Sequence, residues 1–201
     1  MGTPKHLWYK YQDGCCDVFV TDSRTERFFA TESSPEILNA KQMRALKRWL
    51  KDGSGRVKVI VTSVPFFPDP VNGEGGDKWA GFPKQRNAIL AHIERNQISK
   101  VIFFSGDIHA SMTAELISPS GLKILSVISS PFFWPYPHPS ASHFQRSGSI
   151  HVDRVGDFQI DNASRIINDD NFTRVKVSPQ KIIVDIYARK GARKLHREHV
   201  F

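Results

Sequence analysis

The sequence predicts an α/β fold in which helices pack on a β-sheet. Three apolar runs, over residues 16–22, 57–63 and 100–105, have the length and the Val, Ile and Phe content of strands. Two segments between them, over 39–51 and 84–96, repeat apolar residues at the spacing of a helix. Strand, helix, strand, helix and strand in this order are typical of βαβ units. We therefore expect the three strands to lie in one sheet with their carboxyl ends on the same side.

Both predicted helices have one apolar face. Apolar side chains recur at helical spacing at Met43, Leu46, Trp49 and Leu50 in the first helix and at Ile89, Leu90 and Ile93 in the second. Asn39 is suited to cap the start of the first helix, and Asp52-Gly53 favours a stop after it. We expect both helices to pack on the sheet through Leu46, Trp49, Leu50, Ile89 and Ile93.

The second half of the chain is predicted to be rich in strands. We expect strands near 113–117, 122–129, 172–178 and 181–188, the last two as a hairpin. A chain of 201 residues with 40% hydrophobic content is long enough to bury a core of its own. The expected organisation is a single domain over residues 1–201.

The net charge of +8 makes anions the expected partners, and phosphate esters, nucleic acids and anionic membranes all carry suitable charge. Lys and Arg cluster only in Arg189–Arg197, which we interpret as a solvated chain end, and no zinc-finger, RNP-like or helix-turn-helix pattern favours nucleic acid. No apolar stretch approaches the roughly 20 residues of a membrane helix. Met1–Lys10 lacks the features of a signal peptide. The sequence therefore does not indicate the cellular compartment of the protein.

The only two cysteines, Cys15 and Cys16, are adjacent in the first predicted strand. A disulfide between neighbouring residues is strained, so we predict free thiols. Buried cysteines usually pack as small apolar residues, which makes a metal-binding role the less favoured alternative.

The most informative segment is 101–109, Val-Ile-Phe-Phe-Ser-Gly-Asp-Ile-His. Open α/β sheets carry their chemistry at the carboxyl ends of strands, where Asp107 and His109 are expected. Side chains two residues apart in an extended segment point to the same side, so a carboxylate oxygen and an imidazole nitrogen can share a metal ion. The alternative is a turn in which Asp107 caps backbone amides and His109 is only exposed. Asp22 and Ser63 end the other two strands and are expected to face the same cleft.

Two long loops carry further candidates. The first, Pro65–Pro83, is rich in Pro and Gly, and it either lines a site or is anchored by one buried Trp. The members of interest are Asp77, Trp79, Gly81 and Phe82, followed by Arg86. The second, Ser130–Ile150, is interpreted as a surface excursion stiffened by prolines rather than a ligand-bearing loop. Its candidate side chains are Trp134, Tyr136, His138, His143 and Arg146.

Five motifs follow one another along the chain. They are Asp22–Arg27 (D-x-R-x-x-R), Gln42–Leu50 (Q-x-x-x-L-x-x-W-L), Val59–Pro65 (V-I-x-S-S-V-P-like), Asp77–Phe82 (D-x-W-x-G-[YF]) with Arg86-Asn87 after it, and Ser105–His109 (S-G-D-x-H). In this order they resemble the motifs of the PhoD-like alkaline phosphatases, a branch of the metallophosphoesterases. The resemblance covers roughly residues 10 to 135.

The resemblance implies a sandwich of β-sheets flanked by helices, and a metal-dependent phosphoric ester hydrolase. In such enzymes two metal ions at the strand ends hold a hydroxide that attacks phosphorus in line. The resemblance implies divalent or ferric ions, and it does not distinguish among Ca, Fe, Zn, Mn and Mg. The implied substrate is a phosphate ester. Asp107 and His109 match metal-ligand positions, and Asp22 and Arg24 match the catalytic motif. Arg24 is a candidate phosphate clamp; its alternative is a salt bridge to Asp22 that shapes the turn.

The family's early motifs, a G-D-x-x-Y turn and a D-D-H-E segment, have no counterpart here. Only Met1–Gly14 precede the first strand, where those motifs belong. We therefore expect a fold incomplete at its N-terminus, the C-terminal part of a phosphatase domain whose partner is a missing N-terminal half. A non-catalytic fragment or interaction module that retains the fold is the alternative.

Overall fold

The computed structural model describes residues 6–29, 34–71, 76–134, 137–138 and 140–201. Within these ranges the chain forms two α-helices and eleven strands. In chain order they are β1 Tyr9–Asp13, β2 Cys16–Val20, α1 Ala40–Leu50, β3 Val57–Val61, α2 Pro83–Arg95, β4 Val101–Ser105, β5 Met112–Ile117, β6 Lys123–Ile128, β7 Gly148–Val152, β8 Gly156–Asp161, β9 Asn171–Val177, β10 Lys181–Ala188 and β11 Arg193–Val200. The predicted α/β class is confirmed.

Eight of the strands form one sheet, in the order β1-β2-β3-β4-β6-β5-β8-β7. β2, β3, β4 and β6 are parallel to one another, and the other four pair antiparallel with their neighbours. A second, antiparallel sheet has the order β11-β10-β9. The expected common direction of the first three apolar runs is confirmed, as is the hairpin of β9 and β10.

The large sheet lies between the helices and the small sheet. Each of β2, β3 and β4 contributes to the buried cluster of the helices: Phe19, Ile60 and Phe103 pack with Leu46, Trp49, Leu50, Ile89 and Ile93. The preceding residues join the cluster of the small sheet: Val18, Val59 and Ile102 pack with Ile182, Val184 and Ile186. Because successive side chains of a strand point to opposite faces, the central strands are buried on both. The predicted sandwich is confirmed, with both helices on one face.

Both helices begin close to the predicted residues. The side chain of Asn39 accepts a hydrogen bond from the amide of Gln42 at 2.8 Å and so caps α1. Pro83 is the first residue of α2, where its missing N–H costs no helical hydrogen bond. The side chains predicted to pack on the sheet are all buried: Leu46, Trp49, Leu50, Ile89 and Ile93.

Four strands were not predicted: β1, β7, β8 and β11. The side chains of Arg189–Arg197, interpreted as a solvated chain end, are mostly exposed, but residues 193–197 form part of β11 and are not a free end. That strand buries only Leu195 and His199, and its other side chains are mostly exposed and, apart from Val200, polar. A strand at the edge of a sheet tolerates charge, which hides its pattern in the sequence.

The remaining sequence predictions concern the thiols and the membrane. Cys15 and Cys16 are free, as predicted. Burial, together with the neighbouring Cys15, raises the pKa of Cys16 to about 11, so this thiol stays protonated and is a poor nucleophile near neutral pH. Neither described helix is long and apolar enough to span a membrane.

Candidate active site

The carboxyl ends of the parallel strands β2, β3, β4 and β6 lie on the same side of the large sheet. Backbone hydrogen bonds continue beyond the strands, from Thr21 to Val61 and from Thr62 to Phe104, both at 2.9 Å. The loops that begin at Asp22, Ser63, Gly106 and Ser129 therefore leave the same edge. Two side-chain contacts join these loops directly: the hydroxyls of Ser23 and Ser63 lie 2.7 Å apart, and Arg24 forms an ion pair with Asp107.

Arg24 joins the first and third of these loops. Its Nη2 donates to Oδ2 of Asp107, and its Nη1 lies 4.0 Å from Oδ2 of Asp77. Lys78 Nζ lies 3.2 Å from Oδ1 of Asp77. The Arg24 and Asp107 side chains are 49% and 43% exposed, so solvent and small molecules can reach the pair. The guanidinium does not pair with the Asp22 carboxylate, and the salt-bridge alternative for Arg24 is wrong.

Asp22 holds the loop that presents Arg24. Its carboxylate accepts hydrogen bonds from the amides of Arg24 and Thr25, at 3.3 and 2.9 Å, and from the Thr25 hydroxyl. The buried Gln42 of α1 accepts from the Asp22 amide at 2.8 Å and donates to its carbonyl at 3.1 Å. Burial acts to raise the pKa of Asp22, but the hydrogen bonds from Thr25 and Arg24 outweigh it and hold the pKa below its ordinary value.

We expect Asp22→Ala to lower the free energy of unfolding by about 1–2 kcal/mol at pH 7, because three donors lose their acceptor. Since the folded-state pKa is depressed, this stabilisation is present above the ordinary pKa of 3.8 and is lost as the pH falls through the folded-state value. Urea denaturation at pH 7 and at pH 3 measures both effects. The exposed Asp153→Ala is the control and should stay within about 0.5 kcal/mol; an equal effect of both variants would contradict the role of Asp22.

The segment with Asp107 and His109 is a turn, not an extended tip. Both residues have positive φ, 59° and 54°. A Cβ on Gly106 would lie 3.1 Å from the carbonyl oxygen of Ser129, so a glycine lets the two loops approach. Ile108 is buried, while Asp107 is exposed and His109 half-buried. The extended geometry predicted for this segment is therefore wrong, although both polar side chains remain accessible.

His109 is held on three sides. Its ring stacks on Trp134, with centroids 3.5 Å apart and planes at 22°. Its amide donates to Oγ of Ser130 at 3.2 Å, and its carbonyl accepts a hydrogen bond from Nδ1 of His138 at 3.1 Å. Burial, and then the nearby His138 and Lys78, lower the pKa of His109. The neutral imidazole, which is the form that binds metals, is therefore favoured.

The Ser130–Ile150 loop contributes to the site, contrary to its interpretation as a surface excursion. Trp134 and His138 both contact His109, and Nε2 of His138 lies 3.5 Å from Oδ1 of Asp170. His143 is exposed and bonds within its own turn, to the Ser140 carbonyl. Tyr136 lies outside the described residues. Asp170 was not predicted, since it follows no strand and belongs to no motif.

The Pro65–Pro83 loop is anchored by a buried Trp and also brings a side chain close to Arg24. Trp79 is fully buried, and its Nε1 donates to Oγ1 of Thr62 at 3.0 Å. This anchor lies next in sequence to Lys78, whose Nζ pairs with Asp77, and Asp77 lies 4.0 Å from Arg24. Arg86 pairs with Asp69.

Comparisons with known proteins give the family and the fold of the chain. The family model for PhoD-like phosphatase matches residues 1–158. The chain belongs to the PhoD-like phosphatase family. A solved PhoD structure aligns with 97% of this chain, at a TM-score of 0.69 and 14% sequence identity. The structure of a purple acid phosphatase from yellow lupin (Lupinus luteus) seeds aligns with 96% of this chain, at a TM-score of 0.55 and 8% sequence identity. No curated protein matches by sequence.

These two structures are similar to the chain in fold, and both are longer. The chain spans 41% of the PhoD chain and 32% of the purple acid phosphatase chain. Within the ranges that the structure describes, this PhoD-like chain brings no three His, Cys, Asp or Glu side chains together for a metal ion. Cys15 and Cys16 lie at the start of β2, the opposite end from Asp107. A carboxylate and a neutral imidazole suit a hard or borderline metal ion, but a complete site needs about four to six ligands.

Proposed function

We propose that this chain supplies part of the active site of a metal-dependent phosphoric ester hydrolase. The observation that carries the proposal is the Arg24–Asp107 ion pair beside His109, at the carboxyl ends of parallel strands in a member of the PhoD-like phosphatase family. Two loops from separate parts of the chain, after β2 and after β4, thus place a guanidinium, a carboxylate and an imidazole together. Such a set of groups is suited to a phosphoryl group next to a metal ion.

Asp107 and His109 are the proposed metal ligands of the chain. A divalent or ferric ion, when bound, supplies Lewis-acid activation of water and neutralises charge on the phosphoryl oxygens. The lowered pKa of His109 keeps a nitrogen lone pair available near neutral pH. The stack on Trp134 and the hydrogen bond from the His109 amide to Ser130 hold the backbone and ring in place. Further ligands must come from residues beyond those described.

Arg24 is the proposed clamp for the phosphoryl group. Its contacts with Asp107 and Asp77 leave the side chain half exposed, so a phosphoryl oxygen can reach the guanidinium. The planar fork of N–H donors matches phosphate geometry and keeps its charge at every relevant pH. Lys78 adds a second cation within reach of Asp77. Asp22 acts through Arg24, as a positioning residue, because its carboxylate is occupied by the turn.

A non-catalytic module that retains the fold is the second candidate. It is favoured by the small number of metal-capable side chains that converge in the described part of the chain. The two candidates differ in a simple way. A phosphatase part gains metal and turnover when the remaining ligands are supplied, whereas a non-catalytic module gains neither.

The experiment compares the chain alone with the chain fused behind the N-terminal half of a full-length PhoD-like phosphatase. We expect weak metal binding and almost no hydrolysis of p-nitrophenyl phosphate by the chain alone, because phosphoryl transfer relies on metal charge and positioning. The fusion should hold metal and turn over. His109→Ala should remove metal, measured by inductively coupled plasma mass spectrometry, and lower turnover by about 100-fold or more.

His143→Ala is the matched control, since this exposed histidine lies outside the site. It should leave metal content and turnover unchanged. Unchanged metal stoichiometry in His109→Ala would rule out His109 as a ligand. Robust metal-dependent hydrolysis by the chain alone would show that other described residues, His138 first, complete the site. A fusion without metal or turnover would favour the non-catalytic module.

A further inference from the structure

A groove lined by aromatic rings lies next to the candidate active site. We call it the aromatic groove; it encloses about 490 Å³ and is lined by Phe132, Phe133, Asp170, Asn171, Phe172, Tyr187, Ala188, Arg189, Lys190 and Gly191. Phe132 is 82% exposed, Phe133 65% and Phe172 45%. Single exposed apolar residues are common, but several large rings exposed around one concave surface mark a binding site.

One wall of the aromatic groove is a rigid platform. Phe172 and Tyr187, on neighbouring strands β9 and β10, stack with centroids 5.2 Å apart and planes at 14°. The Arg174 guanidinium lies 5.3 Å from the Tyr187 ring centroid, and its Nη2 donates to the Tyr187 hydroxyl at 2.8 Å. Because the sheet and Arg174 hold these rings, a flat apolar ligand would find a prepared surface.

The aromatic groove and the candidate active site share a wall. Phe132, Phe133 and Trp134 are consecutive; the first two line the groove, and Trp134 stacks on His109. Asp170 is common to both, because its carboxylate accepts from the Trp134 amide at 2.9 Å and lies 3.5 Å from Nε2 of His138. A ligand that reaches from one side of this wall to the other would occupy both.

The charges at the groove favour an anionic ligand. Arg189 pairs with Asp170, so the only carboxylate among the lining residues is already matched by a cation. Lys190 is exposed on the rim, and no ion pair to a described carboxylate is found for it within 4.0 Å. Aromatic faces together with an excess of positive charge suit an aromatic group attached to a negatively charged one.

We propose that the aromatic groove binds the aromatic leaving group of an aryl phosphate ester, whose phosphoryl group lies at Arg24, Asp107 and His109. This inference rests on the proposed function, because it extends the same site across the wall formed by Trp134 and Asp170. The substrate class is then set by the groove, and small aliphatic esters would bind only through their phosphoryl group.

Binding measurements on the 201-residue chain test the proposal without requiring turnover. Isothermal titration with 1-naphthyl phosphate, 1-naphthol and inorganic phosphate separates the two halves of the ligand. The double variant Phe132→Ala, Phe133→Ala should weaken binding of 1-naphthyl phosphate and 1-naphthol by about tenfold, because two aromatic contacts are lost, and leave inorganic phosphate unchanged. Arg24→Ala should weaken 1-naphthyl phosphate and inorganic phosphate and leave 1-naphthol unchanged.

The control is the double variant Tyr9→Ala, Tyr11→Ala, which removes two rings of 55% and 49% exposure from β1. It should bind all three probes as the parent chain does. Unchanged binding of 1-naphthyl phosphate in the Phe132, Phe133 variant, with loss in Arg24→Ala, would overturn the groove and leave the proposed function standing. Loss in the Phe variant with no effect of Arg24→Ala would support the groove and contradict the phosphoryl site. Conversion of a dimer to a monomer by the Phe variant, seen by gel filtration, would overturn the proposal in favour of self-association.

Discussion

Replacing Trp79 with alanine is expected to lower the free energy of unfolding by about 3–5 kcal/mol, the range for truncating a large buried aromatic. The side chain is fully buried, and its ring meets the Phe66 ring edge to face with centroids 5.0 Å apart. Phe66 in turn stacks on Phe103 of β4 at 3.8 Å. The variant would leave a cavity between the loop and the sheet, and Thr62 would lose its hydrogen-bond donor. Urea denaturation monitored by circular dichroism measures the loss.

Trp79→Phe separates the ring from its hydrogen bond. It retains most of the buried apolar surface and removes the N–H that reaches Thr62, so we expect a loss of about 1 kcal/mol. Because Trp79 anchors Asp77 and Lys78, the alanine variant should also weaken phosphate binding, whereas the phenylalanine variant should not. A cost below about 1 kcal/mol for the alanine variant would show that the loop is held by other contacts.

His199→Ala is expected to destabilise the protein by about 3–5 kcal/mol, because it leaves a buried charge without its main partner. His199 on β11 donates from Nδ1 to Glu115 on β5 at 2.5 Å, and both residues are buried between the two sheets. Asn162 would remain as a donor to Glu115, at 2.9 Å. The Nε2 atom of His199 is buried and has no hydrogen-bond partner within the described residues, so the pair depends on one strong contact.

The same pair predicts a dependence of stability on pH. The hydrogen bond from His199 is the largest influence on Glu115 and, with Asn162, holds its pKa below the ordinary value of 4.5 despite burial. Because the folded-state pKa is depressed, this contribution is present above pH 4.5 and disappears as the pH falls through the folded-state value. In His199→Ala the loss of stability on acidification should be smaller, which denaturation at pH 7 and pH 4 can measure.

Lys181→Ala is the matched control for this pair. Lys181 on β10 and Glu198 on β11, next to His199 in the chain, form an exposed ion pair at 2.9 Å. Exposed pairs contribute about 0–1 kcal/mol, so this variant should be nearly neutral. Equal destabilisation by the two variants would mean that the contact between the sheets does not depend on the buried pair.

Elements with a strong local pattern could be predicted from the sequence. The central strands β2, β3 and β4 are buried on both faces and therefore read as continuous apolar runs. Helix α1 combines an apolar face with an Asn39 cap. β1 and β11 lack such a signal, because each lies at the edge of a sheet with most side chains exposed. These two strands are each held by backbone hydrogen bonds to one neighbouring strand. Because most side chains are compatible with such bonds, the strands leave no distinct pattern in the sequence.

Some residues of the candidate site could likewise be predicted from the sequence and others could not. Asp107, His109 and Arg24 were found from motifs that follow strands, because residues at strand ends are close in sequence to the apolar runs that place them. The turn at Asp107 and His109 was only the alternative to an extended tip, because the sequence does not show their positive φ angles or the close approach of Gly106 to the loop after β6. Asp170 could not be predicted, because its only link to the site is its contact with Trp134 and His138, which are more than 30 residues away in the chain.

The sequence by itself determined the two helices, the central strands and the polar residues that stand at the strand ends. Only the tertiary structure decided which of them meet. The Arg24–Asp107 pair joins residues 83 apart in the chain, and the His199–Glu115 pair joins residues 84 apart. Contacts at that distance depend on the order of strands in the sheet and on how the two sheets pack. Neither is encoded in the residues on either side of any one position, since local periodicity reports burial and not the identity of the neighbour.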